Sequence, residues 1–238
     1  MISLALQIIV CFGFFVQAGG EPVGKVQKTD PTAGSKKVIA QDPSIQAIDN
    51  AFKFYWQKQS AHMKVRRDIY NNISEKKISA FGTLVFSKGK IRLDIDEPTK
   101  STLVFEKDFI WYAEAPTELF PKWRISKVSR EKAERAQALF KLLFGQVGVI
   151  DQLDLMAHKS RDGFESHIFK PKKQSDFPGV VKLAIVMSQD QKQVRLVRLW
   201  DDLDNETTFE FTDVDYDKKI AKNFFDYKPP KNSEIQEF

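Results

Sequence analysis

Catalysis or metal binding in this 238-residue chain would have to draw on three histidines, 32 acidic side chains and a single cysteine. His62, His158 and His167 are far apart in sequence, and none sits at a metal-ligand spacing such as His-x3-His. The calcium-loop pattern comes closest to a motif. Asp202, Asp204 and Glu206 fall at loop positions one, three and five, and Asp213 at position twelve. Position six, where the loop's sharp turn needs glycine, is Thr207, so an acidic hairpin loop is the simpler reading. Paired carboxylates such as Asp94, Asp96 and Glu97 are expected by chance among so many acids, and a glycosidase would need two of them converging in a cleft. No serine or threonine lies in a nucleophile elbow. Gly145-Gln146-Val147-Gly148 follows a helical pattern where a dinucleotide fingerprint would follow a strand. No enzyme activity, cofactor or metal is expected.

The partners are limited by charge. A formal net charge of +5 spread over the whole chain gives solubility and lacks the concentrated basic face that nucleic acid requires. Ile2–Val16 is almost purely apolar, and Val16-Gln17-Ala18 is a small-x-small cleavage pattern. Residues 1–18 therefore read as a cleaved secretory signal, with an uncleaved anchor as the alternative. Cys11 lies inside this segment as a small apolar residue; the residues before it, Ile8, Ile9 and Val10, do not form a lipidation signal. Residues 19–42, rich in Pro, Gly, Lys and Thr, have no apolar period and read as a flexible leader. One domain is expected over 43–238.

The elements that would position any site centre on Ala80–Pro116. Four short runs of alternating apolar and polar residues there read as four consecutive antiparallel strands. With Lys88-Gly89 as a two-residue turn, Phe86 faces Ile91 and Leu84 faces Leu93, with Ile95 further along. Val85 then faces Arg92, and Thr83 faces Asp94, on the other side. Before this block, Ile45, Ile48, Phe52, Tyr55 and Trp56 recur at helical spacing, and Ala61–Tyr70 alternates as a strand. After it come a short strand near Trp123–Val128 and a second helix, Ser129–Phe144, with Ala136, Leu139, Phe140 and Leu143 as its apolar stripe. Val147–Leu155 reads equally as a short helix or as a turn and strand. Five further strands are expected within Leu153–His158, Glu165–Lys170, Val180–Met187, Val194–Trp200 and Thr207–Val214. The resulting fold class is α+β: a large antiparallel sheet of about eleven strands, curled around the helices that cover one of its faces.

Thr102–Ala113 is apolar on both strand faces. With Lys107-Asp108 as the turn, Leu103, Phe105, Ile110 and Tyr112 share one face, and Thr102, Val104, Trp111 and Ala113 the other. A sheet with one wet face alternates more cleanly. Both faces are covered in a thick core, or one lines a binding cavity.

The run Gly82-Thr83-Leu84-Val85-Phe86-Ser87-Lys88-Gly89-Lys90-Ile91-Arg92-Leu93-Asp94, followed by Glu97-Pro98, Thr102–Phe105, Ile110-Trp111-Tyr112 and Pro116, resembles the LolA-type carriers of outer-membrane lipoproteins. The closing segment, Asn223-Phe224-Phe225-Asp226-Tyr227-Lys228-Pro229-Pro230-Lys231, resembles the same family. The chain departs from the family pattern at Lys107-Asp108, where Asp-Gly is usual, and at Asn232, where Gly is usual. It also departs at Lys88, which falls nearest the family's lid-holding arginine but lacks the guanidinium fork. The resemblance implies an unclosed half-barrel whose helices cover the concave face as a lid over an apolar cavity for acyl chains, in a monomeric periplasmic carrier that is not an enzyme. It places Leu84, Phe86, Ile91, Leu93, Leu103, Phe105 and Ile110 on the cavity wall, Leu139, Phe140 and Leu143 on the lid, and Lys88 or Arg92 at the latch. The implied partners are acylated lipoproteins, an inner-membrane ATP-driven transporter that loads the carrier and an outer-membrane receptor that unloads it. A lipoprotein-sensing or lipid- or glycolipid-binding module of the same fold is the alternative, and a periplasmic hydrolase the third.

Overall fold

The computed structural model describes residues 43–133, 148–188, 190 and 193–238. One α-helix, α1 (Pro43–Gln57), precedes twelve strands. These are β1 (Ala61–Asn71), β2 (Lys76–Ser87), β3 (Lys90–Glu97), β4 (Ser101–Phe105), β5 (Phe109–Glu114) and β6 (Trp123–Ser129) in the first half. The second half holds β7 (Leu153–Arg161), β8 (Phe164–Pro171), β9 (Lys182–Ser188), β10 (Val194–Trp200), β11 (Glu206–Tyr216) and β12 (Ser233–Glu237). All twelve form one sheet in the order β12-β6-β5-β4-β3-β2-β1-β11-β10-β9-β8-β7. The curled sheet does not close, because its edge strands β12 and β7 lie at opposite ends of the order.

Connectivity explains how the inner face is covered. From β1 the chain steps outward by successive hairpins to β6 and then crosses to the far edge. There β7 to β11 return until β11 pairs with β1. The crossing begins with a 3-10 turn at Arg130–Lys132 and ends with another at Ile150–Gln152. Ala133, Val149 and Ile150, at its two ends, are buried in the same cluster as the inner strand faces. The expected second helix begins here as a 3-10 turn. Its apolar stripe, including Leu139, Phe140 and Leu143, lies outside the described residues. In the undecided stretch, residues 148–155 form a bend and the 3-10 turn Ile150–Gln152, followed by the start of β7.

The register of β2 and β3 agrees with the sequence reading. Lys88 and Gly89 both have positive φ, at 45° and 81°, as a tight hairpin turn needs, and Phe86–Ile91, Leu84–Leu93 and Val85–Arg92 are paired. A bulge then interrupts the ladder between Phe81 and Gly82. A Cβ on Gly82 would stand 2.0 Å from the Asp94 carbonyl oxygen, so only glycine permits this close crossing of backbones.

The twelve strands of the described residues agree with the expected sheet of about eleven, but one expectation needs correction, because the sheet is mixed: β12 runs parallel to β6, with Ser233 beside Trp123 and Glu237 beside Lys127. β12 reaches the edge after a long C-terminal excursion, so no tight turn forces it antiparallel. That excursion also accounts for the two-sided apolar character of Thr102–Ala113. On the outer face Val85, Val104 and Phe225 form a second buried cluster, flanked by Trp111, Ile220, Phe224 and Tyr227. Asn232 has φ 63°, so it fills the left-handed position where the family pattern has glycine. Among the described residues neither Lys107 nor Asp108 has positive φ, so that turn needs no glycine.

Gly82→Ala is expected to lower unfolding free energy by about 3 kcal/mol, because the contact is with backbone that cannot rotate away. A shift of the urea midpoint at constant slope checks this.

Candidate functional site

The inner face of β1–β6 is laid out in cross-strand rows. The first row reads Ala61, Phe86, Ile91, Phe105, Ile110 and Val128. The second reads Met63, Leu84, Leu93, Leu103, Tyr112 and Ser126. The third reads Val65, Gly82, Ile95, Ser101, Glu114 and Arg124. All seven residues expected on the wall (Leu84, Phe86, Ile91, Leu93, Leu103, Phe105 and Ile110) therefore sit together on one face. All are buried, between 1% and 8% exposed.

The face is graded. Its first row is wholly apolar, and by the third row the β4–β6 corner carries serine, glutamate and arginine. Arg124 is ion-paired to Glu114, and its guanidinium lies 4.0 Å from the centroid of the Phe120 ring. Burial and then the Glu114 charge push the Tyr112 hydroxyl up to about 12, with Arg67 opposing. Sequence analysis missed Arg67, Ser101, Glu114 and Arg124. Extending the β4–β5 register by one pair beyond Thr102–Ala113 would have placed Ser101 opposite Glu114.

Helix α1 covers the apolar rows. Ile48, Ala51, Phe52 and Tyr55 are buried against them, and the Trp56 ring meets Phe86 edge-on at 5.4 Å. Pro43 opens the helix, where its missing N–H costs nothing. Tyr55 joins the helix to the far half of the sheet, its hydroxyl accepting a hydrogen bond from the Val194 N–H at 2.7 Å. Burial pushes that hydroxyl's pKa upward, so it stays a neutral phenol.

The two latch candidates are placed differently. Lys88 is exposed at the hairpin tip. Next to it, a Cβ on Gly89 would be 3.9 Å from the Trp56 ring of α1. Arg92 lies on the outer face, away from α1, where it donates to the Phe224 carbonyl at 3.1 Å and to Asp94 at 2.8 Å. Its guanidinium also sits over the Phe224 ring, so it holds the C-terminal excursion. Asp201 caps its own loop by accepting from the Leu203 and Asn205 N–H groups, and Asp213 occupies a bulge on β11 with φ 50° and pairs with Lys64. The acidic segment is thus a hairpin loop whose proposed ligands are not gathered. Of the histidines, which have no metal-ligand spacing in the sequence, His158 and His167 are direct cross-strand partners on β7 and β8.

No helix among the described residues is long and apolar enough to cross a membrane. The sequence matches the family model for outer membrane lipoprotein carrier protein LolA over residues 71–228. No curated protein matches it. An uncharacterized conserved protein of Thermus thermophilus has a similar structure at TM-score 0.50 and 8% identity, covering 83% of this chain and 100% of that one. A LolA superfamily protein from Nitrosomonas europaea aligns at TM-score 0.37 and 9% identity over 76% of this chain and 96% of its own. The Mycobacterium tuberculosis lipoprotein LppX aligns at 0.39 and 12% over 76% and 99%.

Tyr55→Phe strands the buried Val194 N–H at a cost of about 1–3 kcal/mol. Amide exchange across residues 45–57 is expected to accelerate by roughly ten- to a hundredfold, read by mass spectrometry.

Proposed function

Because the chain belongs to the LolA family of outer-membrane lipoprotein carriers, we propose that it carries lipoproteins across the periplasm by receiving their acyl chains on the inner face of β2–β5. The observation that carries this reading is the graded face: two apolar rows for hydrocarbon, ending at the Ser101, Glu114 and Arg124 corner where the polar end of the cargo would lie. Each methylene withdrawn from water contributes about 0.8 kcal/mol. An acyl chain must first displace Ile48 and Phe52, which are fully buried on the same floor. Net affinity is then the difference between two burial terms, which suits a carrier that must also release.

In this reading the described arrangement is the closed form, with α1 as part of the cover. Leu139, Phe140 and Leu143 belong to that cover, and Lys88, at the tip beside Trp56, is better placed than Arg92 to steady it. Residues 1–18 direct export and are removed, leaving 19–42 as a leader ahead of the domain. The carrier acts as a monomer without chemistry of its own, loaded by an inner-membrane ATP-driven transporter and relieved by an outer-membrane receptor.

Leu93→Glu is expected to abolish co-purification of a triacylated lipoprotein, and the milder Leu103→Gln to reduce it severalfold, both with native circular dichroism. Depletion of the protein is expected to retain lipoproteins in the inner membrane. Normal sorting on depletion overturns the carrier reading and leaves the sensing or lipid-binding module.

A further inference from the structure

A second group of side chains stands apart from the acyl-chain floor, on the β7–β8 hairpin at the open edge of the sheet. His158 and His167 are direct cross-strand partners, and Glu165 lies two residues from His167 on the same face. Their donor atoms all lie within 4.8 Å of one another, the one such group among the described residues. The two imidazole rings stack with centroids 4.6 Å apart, and His158 Nε2 contacts the Glu165 carboxylate. His167 is 1% exposed and fixed between Phe169, stacked at 6.4 Å, and its cross-strand neighbour Ile185. His158 is exposed.

The convergence depends on a local irregularity. Leu155 pairs with Phe169, but the ladder then skips Met156, so that Ala157 meets Ile168 and His158 meets His167. Without the extra residue, alternation would put Ala157 opposite His167 and point His158 to the other face. The bulge therefore re-aims one donor toward the other two, and bulges are over-represented where a side chain must be redirected for function.

We propose that His158, Glu165 and His167 form a binding site for one divalent transition-metal ion of the zinc class. Two imidazoles and a carboxylate suit zinc and exclude calcium and magnesium, which take oxygen ligands. Tetrahedral zinc with bonds of about 2.0–2.1 Å needs donors roughly 3.3 Å apart. The exposed His158 and the partly exposed Glu165 supply the closing rotation, while His167 stays fixed. Three protein ligands leave the fourth position, on the solvent side, to water or a donor from another molecule. Occupancy would clamp edge strand β7 to β8, giving the bare edge a cross-link that backbone pairing alone does not provide.

Calorimetry with zinc chloride on the untagged protein tests this. The expected result is one ion per chain, with no heat from calcium chloride. The melting temperature should rise by roughly 5–10 °C at a hundredfold excess over the dissociation constant. His158→Gln, at an exposed position, is expected to weaken binding by about tenfold or more with an unchanged fold, and His62→Gln to leave it unchanged. Absence of zinc binding overturns the proposal. So does affinity that survives in both His158→Gln and a natively folded His167→Gln, or equal binding of calcium.

Discussion

The burial of the inner apolar rows of β2–β5 beneath α1 is the contact on which the rest of this structure depends. An open sheet has no lumen to hide its side chains, so Phe86, Ile91, Phe105 and Ile110 need a cover that is not itself a strand. Ile48 and Phe52 supply it with fully buried side chains, each contributing about 1.5–3 kcal/mol. Tyr55 then ties the helix to Val194, in the half of the sheet that follows the crossing. Loosening this one layer would expose an apolar floor that the two halves share.

The outer face is closed by different means. Phe224, Phe225 and Tyr227 lie over Val85, Val104 and Trp111, and this cover is fixed by polar contacts at its margins. Arg92 holds the Phe224 carbonyl, and the Tyr227 N–H donates to Glu106 at 2.7 Å. The two covers differ in kind. The inner one is a helix docked by apolar contacts and by the Tyr55–Val194 hydrogen bond, whereas the outer one is an extended strap fastened by hydrogen bonds and continued into β12. Apolar contacts are non-directional, so most of the inner cover's docking can be exchanged without stranding a polar group, which is not so of the strap.

The edges are managed separately. β12 is short, with exposed Glu234 paired to Lys122, just before β6, and exposed Glu237 paired to Lys127 within it. β7 carries a bulge and exposed charged or polar side chains at Asp154, His158, Lys159 and Arg161. Both features discourage another chain from adding a strand. At β7 the same bulge also gathers the two histidines, so one irregularity serves edge protection and donor placement together.

The alternation around Lys88-Gly89 determined by itself the register of β2 and β3, and with it which residues share the inner face. Period-2 patterning leaves one choice once the turn is set, and Phe86, Leu84, Ile91 and Leu93 sit where that choice puts them. The spacing of Ile48, Phe52 and Tyr55 likewise determined a helix with one apolar stripe. Tertiary structure alone decided the rest, because the remaining contacts join segments whose separation carries no local period. The parallel pairing of β12 with β6 and the strap over Val104 connect residues about a hundred positions apart. The polar corner of Ser101, Glu114 and Arg124 needs three strands in register at once. The meeting of His158 with His167 turns on a single skipped residue, and a pattern of alternating residues cannot reveal where a ladder will skip.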